Sequence, residues 1–202
     1  DLMTALSAAT GVPVVPMESP RGVNDPNLGA FAEVLRQADL IVLLAKPLDF
    51  TLKFADAPHV AESCRFVVID PDRALIARAE REKGQRLVRA ILAEPVSAAK
   101  VLAARDKPDA NAAWRREVAA ATTFRPAEWA TQTSATVGKL HPLELCRAVA
   151  GVIETTPEAI LVCDGGEIGQ WPQGAVRANR RVINGVAGSI GASIPFALAA
   201  RR

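Results

Sequence analysis

The stretch ILVCDGGEIGQW (160–171), followed by VINGVAGSIGASIPFALAAR (182–201), decides which fold is expected at the end of the chain. Residues 159–163 form a short apolar, partly β-branched run, which is typical of a buried strand. The Asp-Gly-Gly triplet that follows tolerates tight or left-handed backbone. We therefore predict that the strand stops at Asp164.

Three further glycines, Gly185, Gly188 and Gly191, precede an apolar segment, 194–200, that predicts a helix. Backbone N–H groups gathered at a helix start can receive a phosphate or a ring, and glycines let such a ligand approach the main chain. The alternative is that these glycines only make turns and close helix packing. Their spacing fits neither G-x-G-x-x-G nor G-x-x-x-x-G-K-S/T, so neither nucleotide motif is predicted.

Upstream, strand-like and helix-like segments alternate. Strands are predicted at 12–15, 40–45, 66–69 and 87–92, and helices at 28–38 and 73–83. This alternation predicts an α/β fold with a parallel, Rossmann-like sheet flanked by helices, plus the first strand and helix of a second α/β domain. Asp25-Pro26 and Asp70-Pro71 each precede a helix candidate, where a side-chain acceptor and a preset φ help to start the first turn.

The second half of the chain begins with an Ala-rich, charged stretch, 94–129, that predicts helices. The small and polar residues 131–139 predict a linker, at which we place the domain boundary. His141 is expected to begin a helix over 143–153, and its position favours a helix-terminal role over a catalytic one.

Composition limits the class of protein. The chain has 202 residues, of which 24 are basic and 22 acidic, so a net charge of +2 gives no reason to expect nucleic acid or an anionic membrane as partner. No apolar run approaches the roughly 20 residues that cross a bilayer. Cys64, Cys146 and Cys163 lie far apart beside apolar segments, which is typical of buried, reduced thiols in a cytoplasmic protein. Neither histidine is paired with them at ligand spacing, so no zinc site is expected.

The two glycine segments together resemble one family, the thiamine-diphosphate-dependent enzymes of the acetolactate synthase, benzoylformate decarboxylase and oxalyl-CoA decarboxylase type. The resemblance extends upstream through TGVPVVPMESPRGVNDPNLGAF (10–31), ADLIVLLAKPLDF (38–50) and RFVVIDPD (65–72). It implies three α/β domains in series, of which this chain is a fragment. Residues 1–130 would be the central domain, 131–139 the linker, and 140–202 the incomplete N-terminal part of the diphosphate-binding domain.

The resemblance also implies thiamine diphosphate and Mg²⁺ as cofactors of the parent enzyme. The family's catalytic glutamate would precede Asp1, and its Gly-Asp-Gly segment with a later Asn, which holds the magnesium, would follow Arg202. We therefore expect no catalytic residue and no metal ligand in this chain. A diphosphate without its metal is poorly neutralised. No catalysis is expected from the chain alone.

Four residues are expected to lie along the diphosphate because they match the family's loop: Gly165, Gly166, Glu167 and Ile168. Glu167 departs from the pattern, since many relatives have an uncharged polar side chain there. A carboxylate beside a diphosphate is repelled unless it points away or meets the metal. We therefore expect Glu167 to be a structural or substrate-side acceptor.

Gly188 and Ile190 match the positions where the family's backbone meets the aminopyrimidine and where a bulky apolar side chain holds the cofactor bent. A branched, stiff side chain can enforce a strained ligand shape that a flexible one would let relax. The alternative for Ile190 is an ordinary core residue.

Asp70 ends a predicted strand, where an acidic side chain can reach a ribose hydroxyl. Some relatives bind FAD or an adenine nucleotide in this domain, so FAD, ADP or CoA is the weaker cofactor prediction. Ala45-Lys46-Pro47 stands where a glycine-rich turn would help a pyrophosphate to approach. A helix cap is therefore favoured over a ligand contact for Asp70. Lys46 and Arg21 could meet an anion, although lone basic residues are usually solvated.

The resemblance implies a parent that makes or breaks a C–C bond beside the carbonyl of a 2-keto acid or a 2-hydroxyacyl-CoA. Its active sites would form between subunits of a homo-oligomer. Two alternatives remain open: a non-catalytic nucleotide- or CoA-binding module, and a purely structural subunit-packing domain.

Overall fold

The computed structural model describes residues 2–105, 111–185 and 187–201. It divides the chain into two compact units. The first unit consists of residues 1–16 and 31–121, and the second of residues 17–30 and 122–202. Within the described residues, no helix combines the length and hydropathy that crossing a lipid bilayer requires.

The first unit contains a three-stranded parallel sheet flanked by helices, as predicted. Its strands, in sheet order, are β1 (Leu40–Leu44), β2 (Arg65–Asp70) and β3 (Leu87–Leu92). Its helices are α1 (Leu2–Thr10), α2 (Phe31–Leu35), α3 (Arg73–Lys83), α4 (Pro95–Ala103) and α5 (Ala112–Thr123). The central strand is the most buried, since Phe66, Val68 and Ile69 are covered by neighbouring strands and helices. This burial explains why residues 66–69 of the strand are continuously apolar.

The predicted strand at 12–15 is wrong. Residues 12–17 follow α1 without joining a sheet. Pro13 and Pro16 interrupt the segment, and a proline has no N–H to donate to a strand ladder. The helix predicted over 28–38 is also shorter, because α2 is preceded by a separate 3-10 turn, Pro26–Leu28. Asp25 caps that turn by accepting a hydrogen bond from the Asn27 N–H at 2.9 Å, which confirms the predicted start.

The prediction that Asp70 caps a helix is corrected. Helix α3 is capped by Asp72, which accepts from the Ala74 N–H at 2.7 Å. Asp70 instead accepts from the Asp72 N–H at 2.8 Å. Because Pro71 separates β2 from the helix, one more extended residue is needed before the first turn begins, and Asp72 supplies it.

The second unit contains a two-stranded parallel sheet of β4 (Ile160–Val162) and β5 (Arg180–Val182). Its helices are α6 (Pro142–Glu154), α7 (Gly166–Ala175) and α8 (Ser193–Ala200). His141 caps α6 in a capping box with Glu144, so its predicted helix-terminal role is confirmed. The core packs Cys146, Leu161, Cys163, Val176 and Ile183 together. All three cysteines of the chain are buried and unpaired, as expected.

Residues 165–168 match a loop of the family that the sequence resembles, but the segment 164–171 is largely helical. Helix α7 begins at Gly166, and Gly165 is its N-cap residue. The helix contains Gly169 and Gly174, both buried, and Pro172. Residues of low intrinsic helix propensity therefore form a helix because they pack closely against the rest of the unit.

Candidate functional site

The two glycine segments of the second unit lie against each other. A Cβ atom on Gly165 would lie 2.7 Å from Asn184 Nδ2 and 2.9 Å from the Gly188 carbonyl oxygen. No real side chain fits at such distances, so the absence of one at Gly165 is what allows the contact. We call the two turns that meet here, 164–168 and 187–191, the glycine cradle.

Three residues of the cradle adopt positive-φ backbone that favours glycine. Gly166 has φ of 72°, Gly188 has φ of 66° and Gly191 has φ of 92°. A Cβ on Gly166 would be 3.9 Å from Ile190 Cδ1, so the two predicted contact residues are neighbours. The structure thus brings together Gly165, Gly166, Gly188 and Ile190.

Asp164 links the two turns through hydrogen bonds. Its Oδ1 accepts from the N–H of Gly165 at 2.6 Å and from the N–H of Gly191 at 2.8 Å. Its Oδ2 accepts from the Ser193 hydroxyl at 2.7 Å. The Ser193 bond, followed by the Gly165 bond, holds the pKa of Asp164 below its ordinary value. Sequence reasoning treated Asp164 only as the end of a strand, although an Asp before two glycines is a common local hydrogen-bond acceptor.

The side chains at the start of α7 face solvent. Glu167 is exposed in the first turn, and Ile168 is 65% exposed. An acidic residue in the first turn is favourable for the helix dipole. Ile190 is 78% exposed, so the described residues do not bury it in a core.

The backbone at the start of α7 retains donors. Gly165, the N-cap residue, offers no side-chain acceptor, and no side-chain cap is formed. The Gly165 N–H is already bonded to Asp164, so the donors that open the helix belong to the residues after it. Such a helix start attracts anions.

Asn184 adds an unsatisfied acceptor beside Gly165. Its side chain is buried, with the residue 6% exposed, and its Nδ2 donates to the Ser189 carbonyl at 3.2 Å. Its Oδ1 has no hydrogen-bond partner among the described residues. A buried polar atom without a partner indicates that a water molecule or a ligand completes the arrangement.

A segment distant in sequence reaches the cradle. The Nη2 of Arg21 donates to the Gly166 carbonyl at 2.9 Å. Pro20 lies 3.5 Å from the position that a Cβ on Gly188 would occupy. The sequence indicated only that Arg21 could meet an anion, because nothing local predicts a contact across 145 positions.

The same segment carries a buried carboxyl group. Asp25 is 3% exposed, and burial raises its pKa above the ordinary value, against the opposing effects of the Asn27 N–H and the charge of Arg181. Arg125 is partly buried as well, and burial lowers its pKa. Its guanidinium donates to the carbonyls of Gly174 and Asn27. These bonds tie the segment 17–30 to α7.

Asp70 lies in the first unit, at the carboxyl end of β2. Lys46 follows the neighbouring strand β1 and donates to the Thr51 hydroxyl at 2.5 Å, and burial lowers its pKa. The ends of adjacent parallel strands form the edge where such folds bind ligands. The nucleotide contact of Asp70 stays a prediction.

The described residues contain no group of three or more His, Cys, Asp or Glu side chains placed to hold a metal ion. Two observations at the cradle bear on a bound group: the close approach at Gly165 and the unpartnered Oδ1 of Asn184.

Comparisons with known proteins give a likeness of fold. No protein-family model matches the chain, and no curated protein matches it by sequence. Among solved structures, it is similar to a thiamine diphosphate-dependent 4-hydroxybenzoylformate decarboxylase from Rhodococcus jostii RHA1, with a TM-score of 0.61 and 17% identity. The match covers 98% of this chain and 37% of that one. The chain thus has the fold of part of that enzyme.

Proposed function

We propose that this chain is part of a thiamine-diphosphate-dependent enzyme that makes or breaks a C–C bond, and that the glycine cradle helps to hold the cofactor. The observation that carries the proposal is the contact of Gly165 with Asn184 and Gly188. It joins the segments 164–168 and 187–191, both of which match cofactor-contacting segments of the family that the sequence resembles. The fold likeness to a thiamine diphosphate-dependent decarboxylase supports the same assignment.

Each cradle residue has a proposed role. The N–H groups of Glu167 and Ile168, at the uncapped start of α7, would donate to the diphosphate. Gly166 leaves room for its approach, since the nearest atom to a Cβ there is the Ile190 Cδ1. The exposed Ile190 side chain would support the bent cofactor, with the Gly188 backbone beside the aminopyrimidine.

Glu167 is compatible with this role because it is exposed and need not face the phosphates. When bound, thiamine diphosphate supplies the electron sink for C–C bond cleavage or formation beside a carbonyl. The chain's own residues would orient it. Magnesium ligands and the catalytic glutamate are proposed to lie in other parts of the enzyme, so the 202-residue chain is expected to be inactive alone.

The substrate of the whole enzyme is proposed to be a 2-keto acid or a 2-hydroxyacyl-CoA, and the whole enzyme a homo-oligomer. These assignments rest on the family resemblance. A cofactor of this kind acts on both substrate classes, so the cradle itself does not choose between them.

The direct test is a titration of the isotope-labelled chain with thiamine diphosphate, followed by amide NMR. We expect millimolar ligand to shift the amides of Gly166, Glu167 and Ile168, and those of the turn 187–191, with or without Mg²⁺. Thiamine without its diphosphate is the matched control ligand and should leave the start of α7 unshifted. An unchanged spectrum with thiamine diphosphate would refute the cradle. A strong tightening by Mg²⁺ would contradict the placement of the metal ligands elsewhere.

A second candidate function is nucleotide or CoA binding in the first unit. The observation in its favour is that Asp70 ends β2 and Lys46 follows the adjacent strand β1, so a carboxylate and a cation stand at the carboxyl ends of neighbouring strands. ADP, CoA and FAD should then raise the melting midpoint, because a ligand that binds only the native state stabilises it. A shift with one of these ligands and none with thiamine diphosphate would favour this candidate. No shift with any of them would favour a structural domain.

A further inference from the structure

The bond between Arg21 and Gly166 lies at the most conformationally permissive point of the cradle. Gly165 and Gly166 are consecutive, and the φ of 72° at Gly166 is readily adopted only by glycine. The two consecutive glycines at the start of α7 have low intrinsic helix propensity. The Arg21 Nη2 adds a tertiary restraint there, since it donates to the Gly166 carbonyl at 2.9 Å.

We propose that Arg21 is a positioning residue that orients the peptide between Gly166 and Glu167, so that the Glu167 N–H faces an anion bound at the start of α7. This inference rests on the proposed function, and it adds a residue of the segment 17–30 to the cofactor site. In a planar trans peptide the C=O and N–H groups point in opposite directions. Holding the Gly166 oxygen on one side therefore aims the Glu167 N–H to the other.

Arg21 is itself held in place by its surroundings. Its N–H donates to the Ser19 hydroxyl at 3.3 Å, and Ser19 is 1% exposed. The Gly22 N–H closes the same turn by donating to the Ser19 carbonyl at 3.0 Å. Pro20, between them, packs on the Gly188 turn. The tripeptide 19–21 thus contacts both turns of the glycine cradle.

The rest of the segment 17–30 is also anchored within the second unit. Arg125 donates to the Asn27 carbonyl at 3.0 Å. Arg181 donates to the Glu18 carboxylate at 2.6 Å, and Asp25 caps the turn Pro26–Leu28 by accepting from the Asn27 N–H. These bonds stand on both sides of Arg21 in sequence. They hold the backbone from which the Arg21 side chain extends to the start of α7.

Two further observations point to a ligand at this place. Helix α7 has ten residues and no side-chain cap, so its first N–H groups require an acceptor. The Asn184 side chain, whose Nδ2 lies beside Gly165, is buried, and its Oδ1 has no partner among the described residues, which indicates a water molecule or a ligand group that donates to it. The guanidinium of Arg21 adds a positive charge near the same helix start.

The experiment compares Arg21→Gln, Arg21→Lys and a matched charge control, Arg177→Gln. Arg177 is an exposed residue of the same unit that donates to the Thr123 carbonyl at 3.5 Å. The first readout is the Glu167 amide resonance of the ligand-free chain, which needs no cofactor. Arg21→Gln should shift and broaden it, whereas Arg177→Gln should leave it in place.

The second readout is affinity for inorganic pyrophosphate and for thiamine diphosphate. We expect Arg21→Gln to weaken both affinities about tenfold. The reason is that the Glu167 N–H would lose its alignment with the ligand, and a hydrogen bond to a charged group is worth about that factor. Arg21→Lys should weaken them less, because it keeps the charge without the planar donor fork. Arg177→Gln should change them little. If Arg21→Gln does not fold, Arg21→Lys gives the same two readouts.

An unmoved Glu167 amide would overturn the inference whether or not the chain binds a ligand. Equal losses of pyrophosphate affinity in Arg21→Gln and Arg177→Gln would also overturn it, since charge alone would then account for the effect. Pyrophosphate binding without thiamine diphosphate binding would refute the proposed function and leave the positioning role supported. Failure of the unaltered chain to bind pyrophosphate would overturn the anion site itself.

Discussion

The Ser193 hydroxyl donates a hydrogen bond to the Asp164 carboxylate at 2.7 Å, joining the residue that opens α8 to a residue just after β4. The same carboxylate accepts the N–H groups of Gly165 and Gly191. The ionised Asp164 side chain therefore connects the end of β4 and the start of α8 with both turns of the glycine cradle. Neutralising it tests how far the cradle depends on a charge.

Asp164→Asn should lower the stability of the chain at neutral pH. The pKa of Asp164 is lowered from its ordinary 3.8, so the carboxylate is better stabilised in the folded state than in the unfolded one. That contribution is present above pH 3.8 and is lost as the pH falls through the lowered folded value. Melting midpoints of both proteins should therefore converge in acid. If the difference between the two melting midpoints stayed constant down to low pH, the loss of stability would come from the altered shape of the side chain and not from its lost charge.

Gly165→Ala should destabilise the chain by about 1–3 kcal/mol, the usual cost of forcing an extra group into a packed site. The added Cβ would meet Asn184 Nδ2 at 2.7 Å and the Gly188 carbonyl at 2.9 Å. The φ of Gly165 is −74°, which alanine adopts easily, so the expected loss is purely steric. Denaturant unfolding measures the change.

The matched control is Gly151→Ala. Gly151 lies in α6, and a Cβ there would have no atom within 4 Å. Alanine in a helix interior is better than glycine by about 0.5–1 kcal/mol, so this variant should be more stable than the original. If the two substitutions had similar effects, the close packing described at Gly165 would be wrong.

The first unit was largely predictable because its signals are local. The apolar runs at 40–45, 66–69 and 87–92 alternate with a helix over 73–83, and the sheet and α3 follow those bounds closely. The strand predicted at 12–15 failed because Pro13 within it and Pro16 directly after it have no N–H to donate to a ladder. The apolar, β-branched residues of this segment are therefore not sufficient to predict a strand.

Helix α7 was not predictable, because its sequence disfavours a helix. Only glycine fits at position 174, because a Cβ there would lie 2.9 Å from Pro26 and 3.3 Å from Trp129. Gly169 is needed because the Asp164 carbonyl occupies the place of a side chain. The bond from Arg21 to Gly166 is likewise a tertiary contact. The sequence therefore indicated which glycines matter, and tertiary packing determined what surrounds them.

The three thiols should not react with an external disulfide reagent in the native chain. Burial raises the pKa of Cys64 and Cys146, and that of Cys163 to about 11. The thiolate is the reactive form, so burial and a raised pKa act in the same direction. Spectrophotometric titration should find no fast thiol before unfolding and all three in denaturant. A fast-reacting thiol in the folded chain would contradict the burial of that cysteine in the core of its unit.

Asp25→Asn should stabilise the chain at neutral pH. Burial is the largest cause of the raised pKa of Asp25, and it exceeds the favourable effects of the Asn27 N–H and Arg181. The folded state therefore holds its proton more tightly than the unfolded one, and stability falls as the pH rises from 3.8 to the raised value. Asparagine keeps an acceptor for the Asn27 N–H without a buried charge. The gain, measured as a melting midpoint, should vanish below pH 3.8.

Asp25→Ala is the control that separates the cap from the charge. It removes the acceptor that bonds the Asn27 N–H at 2.9 Å, so it should lose about 1 kcal/mol relative to Asp25→Asn. Both variants lack the carboxylate, and the difference between them should therefore not depend on pH. If Asp25→Asn were less stable than the original chain at neutral pH, attraction to Arg181 and its neighbours would outweigh burial. The segment 17–30 would then be held to the second unit chiefly by charge.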